Sequence, residues 1–74
     1  PDEVIEDEIR EDLIRRVLFI DPEELAVTVD NGVVTLGGEV GTKREALMIA
    51  ELTRRLDGVM RVENDLTFRI DDTG

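Results

Sequence analysis

The sequence predicts an α+β domain of order α-β-β-α-β, with a three-stranded mixed sheet and two helices packed on one of its faces. Three observations lead there. Asn31-Gly32 marks a hairpin, amphipathic stretches flank it on both sides, and a period-two stretch closes the chain.

The hairpin runs through Leu25–Val40, LAVTVDNGVVTLGGEV. A two-residue type I′ turn needs positive φ at both central positions, which Asn-Gly supplies at little cost. That turn fixes the register. Val29 opposes Val34, Val27 opposes Leu36 and Leu25 opposes Gly38 on one face. Ala26, Thr28 and Asp30 oppose Gly37, Thr35 and Val33 on the other. The first face is almost wholly aliphatic, and a slip of one residue would destroy the match. Gly37-Gly38 points to a bulge or to a helix packed close over the sheet. A phosphate loop is disfavoured, since neither Gly-x-Gly-x-x-Gly nor Gly-Lys-Ser/Thr is present.

Residues 1–20 read as an amphipathic helix, with Ile5, Ile9, Leu13 and Val17 on one stripe. Asp2, Glu3, Glu6, Asp7 and Glu8 lie early and Arg15 and Arg16 late, the polarity that suits the helix dipole. Ile14 and Leu18 fall off the stripe and are expected to form a second apolar edge. The acidic run lacks the Asp-x-Asp-x-Asp-Gly pattern of a calcium loop and reads as a solvated face. Asp21-Pro22-Glu23-Glu24 is a second helical start with room for about one turn.

Thr42 and Glu45 form a capping box that opens the second helix. Ala46, Ile49, Ala50, Thr53 and Leu56 make its buried stripe, flanked by Leu52, and Gly58 sits where a left-handed C-cap belongs. Lys43, Arg44, Arg54 and Arg55 share the opposite face with Leu47, Met48 and Glu51. This cationic and apolar face is the candidate contact surface: Lys43, Arg44, Leu47, Met48, Arg54 and Arg55. The plainer alternative is a solvated face on which Glu51 pairs with Arg55. From Val59 a third strand follows, with Val62, Asn64, Leu66, Phe68 and Ile70 on its apolar side. Asn64 is expected to be a hydrogen-bonded buried amide. The second strand, second helix and third strand should form a right-handed crossover with parallel strands, in the order 1-2-3.

Composition narrows function. The 74 residues form one domain, 1–74, with residues 71–74 expected to be a frayed tail. Because the chain opens on Pro1 it reads as part of a longer protein. It has no cysteine or histidine, so disulfides, thiol chemistry and the usual general base near neutral pH are absent. Acid–base work would fall to carboxylates alone, and no pair stands out. The sequence therefore predicts no enzyme, no catalytic or metal site and no cofactor. A net charge of −10 and only two aromatic residues, Phe19 and Phe68, argue against nucleic acid. No run is apolar enough to span a bilayer and no stretch resembles a signal peptide.

Val27-x-Val29-x-Asn31-Gly32-x-Val34-x-Leu36-x-Gly38-x-Val40, then Thr42, Glu45-Ala46 and Ala50, then Gly58-Val59-x-x-Val62-x-Asn64-x-Leu66 form an ordered set. The set resembles the BON domain, the bacterial osmotically inducible and nodulation domain, over about residues 8–70. The acidic first helix and the Asp-Pro turn look most like copies that follow a CBS-domain pair in actinobacterial cytoplasmic proteins. The resemblance implies a non-enzymatic binding module. The family is associated with phospholipid or membrane-surface binding, often in stress-response proteins. The alternative it leaves is a regulatory domain that docks on neighbouring CBS domains of the same protein or mediates homo-oligomer formation. The expected location is cytoplasmic, peripheral to the membrane in the lipid reading, with periplasmic as the alternative.

Overall fold

A computed structural model describes residues 1–17 and 24–74 of the chain. The first helix is α-helical over Asp2–Asp7 (α1) and continues with π winding over Glu8–Val17. Strands β1 (Ala26–Asp30) and β2 (Val33–Thr42), helix α2 (Lys43–Arg54) and strand β3 (Arg61–Ile70) follow. The sheet has the order β1-β2-β3, with β1 antiparallel and β3 parallel to β2. This is the α+β arrangement expected from the sequence. The helical start at Asp21-Pro22-Glu23 and the expected edge residue Leu18 lie outside the described residues.

The hairpin register is the one its turn dictates: Val29↔Val34, Val27↔Leu36, Thr28↔Thr35, Ala26↔Gly37 and Asp30↔Val33. Asn31 at φ 51° and Gly32 at φ 80° give the two positive angles of a type I′ turn. The turn also anchors its surroundings. The Asp2 carboxylate accepts from Asn31 N–H at 3.0 Å and from Gly32 N–H at 3.4 Å. The Gly32 carbonyl accepts from Met60 N–H at 2.8 Å. The start of α1 and the approach to β3 thus meet at this two-residue turn.

Side chains of one parity carry the core. Val27, Val34, Leu36 and Val40 from the sheet pack with Ile9 and Ile14 from the first helix and with Ala46, Ile49 and Ala50 from α2. The two alanines admit α2 close to the strands. Thr53 is also fully buried, and its hydroxyl donates to the Ile49 carbonyl at 2.7 Å, so no buried donor is left unmatched there. The other face of the sheet is polar. It holds a shallow depression of about 480 Å³ bordered by Thr28, Asp30, Thr35, Arg61, Glu63 and Asp65.

Several sequence expectations are corrected. Ile14 forms no second edge: it is fully buried. In π winding the backbone bond spans i to i+5, which brings Ile14 round beneath Ile9. Gly37-Gly38 makes no break, since β2 stays paired on both sides of Gly37. Gly38 instead takes φ 107°, and a Cβ there would lie 3.0 Å from the Glu24 carbonyl. What approaches is the chain entering β1, not a helix. Helix α2 ends at Arg54, tightening into i→i+3 bonds from Arg55 and Leu56, so Gly58 stands beyond the cap rather than at it. Its φ of 89° and the Ile5 side chain 2.9 Å from its would-be Cβ give the glycine a packing reason. Asn64 lies exposed, its side chain accepting from Leu66 N–H rather than buried against a helix.

Two consequences are measurable by denaturant melts. Leu36→Ala or Ile49→Ala should cost about 2–5 kcal/mol, the range for a fully buried aliphatic. Gly32→Ala combines a positive φ with a Cβ only 2.9 Å from the Gly58 carbonyl, and should cost at least ~1 kcal/mol. Gly37→Ala, whose Cβ meets only the Ala26 methyl at 3.6 Å, should stay within about 1 kcal/mol of wild type. Equal effects at the two glycines would contradict the turn's anchoring role.

Candidate functional site

The outer face of α2 is built by helical spacing from a well-formed start. Thr42 Oγ1 accepts from Glu45 N–H at 3.1 Å, capping the helix. The stripe Ala46, Ile49, Ala50 and Thr53 is buried, which turns Leu47 and Met48 outward with 51% and 46% of their surface exposed. Arg44, Arg54 and Arg55 are exposed and Lys43 is half-buried, its ammonium 5.9 Å from the centre of the Phe68 ring. All six candidate residues therefore share one surface. Two are apolar and four are cationic.

The charges on this surface are already matched. Glu51 receives Arg54 at 2.8 Å and Arg55 at 3.6 Å. Lys43 approaches Asp71 at 3.8 Å, and Arg44 approaches Asp72 at 3.9 Å. Asp72 is tied further: its carboxylate accepts from Arg44 N–H and its carbonyl from the Arg44 guanidinium, both at 3.0 Å. Its negative charge at the first turn of α2 also suits the helix dipole. Among the described residues three carboxylates thus face four cations, a net of one positive charge. Each exposed pair contributes little stability, yet together they flatten the local field.

Pairing with Glu51 follows from helical spacing and was legible in the sequence. Pairing with Asp71 and Asp72 was not, because it depends on the end of β3 returning beside the start of α2. The Thr73 hydroxyl and N–H both donate to Asp71, and with Lys43 nearby they hold its carboxyl below the ordinary 3.8 despite a small opposing desolvation.

Among the described residues no group of three or more His, Cys, Asp or Glu is placed to hold a metal ion, and no helix is long and apolar enough to cross a membrane. The outer face of α2 carries two exposed apolar side chains, Leu47 and Met48, among charged ones.

The BON-domain family model matches residues 1–70. The chain belongs to the BON family. BON domains are non-catalytic binding domains. No curated protein matches the chain.

The tail of this BON domain gives a pH test. A depressed carboxylate contributes its interaction above its ordinary value and loses it as pH falls through the depressed one. In an NMR titration the Asp71 carboxyl should therefore titrate below 3.8, and Thr73→Val should move it upward by removing the hydroxyl donor. An unchanged midpoint in the variant would show that Thr73 does not hold the tail.

Proposed function

We propose that this BON domain is a protein-docking module whose contact surface is the outer face of α2. The observation behind the proposal is the exposure of Leu47 and Met48 amid cations that already have carboxylate partners. A peripheral membrane helix works differently: free Lys and Arg draw it to anionic headgroups, and its apolar side chains then insert. Here a net of one positive charge would have to offset a domain net charge of −10. A protein surface makes no such demand. Burying Leu47 and Met48 against an apolar patch supplies the affinity, and the paired charges at the rim supply orientation.

The partner chemistry that fits is a folded domain with an exposed apolar patch. The CBS pair implied by the resemblance is the partner class to test first, since tethering would raise its effective concentration. Association with lipid is the outcome that would displace this reading.

The test titrates the domain against a CBS pair encoded with it, alongside sedimentation with phosphatidylglycerol-rich and neutral vesicles. Leu47→Asp/Met48→Asp should weaken protein binding by at least about tenfold, given roughly 1.5–3 kcal/mol for each large apolar side chain buried. Arg54→Glu/Arg55→Glu should matter less. Salt-sensitive vesicle binding that the arginine variant abolishes would make the face a membrane surface instead.

A further inference from the structure

The two edges of the sheet are not alike. On β1 the hairpin register turns the N–H and C=O groups of Val27 and Val29 away from β2. The Arg10 guanidinium covers that edge, donating to the Leu25 and Val27 carbonyls at 3.3 Å each. On β3 the parallel register assigns the odd residues to β2, beginning with Arg61 N–H to the Gly32 carbonyl. Val62, Asn64, Leu66, Phe68 and Ile70 therefore point their backbone groups outward along a strand of 10 residues. Among the described residues no strand pairs with that edge. Its one local cover is the Asn64 side chain, which accepts from Leu66 N–H at 3.2 Å.

Natural sheets usually blunt a long free edge, because it is a template for another strand. Apart from Asn64, the same residues carry apolar side chains on the helix side of the sheet. Phe68 and Ile70 are 38% and 63% exposed and stand outside the core cluster.

We infer that β3 pairs with β3 of a second copy, antiparallel, about a two-fold axis at Leu66. The side-chain order selects this register. Outward groups sit on even residues, so only registers that oppose even with even can bond. With Leu66 opposite Leu66, Glu63 opposes Arg69, Asp65 opposes Thr67, and Arg61 reaches the position of Asp71. No like charges stand directly opposite one another; Asp65 meets its copy only on the diagonal. On the helix side Val62 opposes Ile70 and Asn64 opposes Phe68. Shifting the axis to Asp65 would set Arg61 against Arg69 and Asp65 against itself; shifting it to Asn64 would set Glu63 against Asp65. Like charges directly opposite destabilise a sheet. A two-fold axis normal to the sheet keeps both helical layers on one side, giving a continuous six-stranded sheet. Asn64 releases the Leu66 N–H as the partner carbonyl takes its place. The long-range repulsion between two copies of charge −10 is screened beyond about 8 Å at physiological salt, whereas the facing pairs lie within that distance.

Sedimentation equilibrium of the intact chain, from micromolar to millimolar concentration at physiological salt, tests the inference. Wild type should pass from monomer to dimer across that range. Asn64→Pro removes an outward N–H without touching a bond to β2, and should leave a monomer with unchanged far-ultraviolet circular dichroism. Glu63→Arg should weaken association about tenfold by setting two like pairs in opposition, and Glu63→Arg/Arg69→Glu should restore it. Leu47→Asp/Met48→Asp should not alter it, which separates this result from the role proposed for α2. A wild type that stays monomeric throughout, a dimer that persists in Asn64→Pro, or a double variant that fails to recover would overturn it.

Discussion

The two-residue turn Asn31-Gly32 is the constraint on which the domain depends. Two positive φ angles there close β1 onto β2 in a single register, and that register decides which side chains meet the helices. The N–H groups of the same two residues donate to the Asp2 carboxylate at the start of α1, and the Gly32 carbonyl accepts from Met60 N–H ahead of β3. In a domain of this size, stability is the small difference between large terms, and one anchored turn ordering three elements is economical. It lets a chain of 74 residues with no disulfide place an aliphatic core between two layers.

Parity carries the consequence across the sheet. In the hairpin, even residues of β1 bond to odd residues of β2, which leaves even residues of β2 to bond β3. Odd residues of β3 accept that pairing, and its even residues face outward. Leu66, Phe68 and Ile70 thus present both an open backbone and an incompletely covered apolar side. The first helix lies against β1 and α2 against β2 and β3, so the asymmetry of the edges begins with where each helix sits. Arg10, on the first helix, reaches the edge of β1. No comparable side chain from α2 is described reaching across the edge of β3.

Much of this was legible in the sequence, and what was not has physical causes. The hairpin register, the buried stripe of α2 and the parallel third strand follow from periodicity and turn chemistry, which are local. Ile14 was misplaced because regular 3.6-residue spacing does not hold where the helix is π-wound. Asn64 was misplaced because alternation tells which face a residue takes but not whether a helix covers it there. Helical spacing picks out the six residues of the α2 face as a candidate surface. Its near-neutrality was hidden, because Asp71 and Asp72 reach it only through the return of the chain along β3. The protein-docking proposal rests on that long-range pairing.

Amide hydrogen exchange along β3 in dilute solution tests this account most directly, since it reads the bonding parity residue by residue. The amides of Glu63, Asp65, Thr67 and Arg69 should exchange slowly, bonded to β2, while those of Val62, Phe68 and Ile70 exchange fast at the open edge. Uniform protection along the strand, or slow exchange at the even positions, would contradict the register and the free edge together.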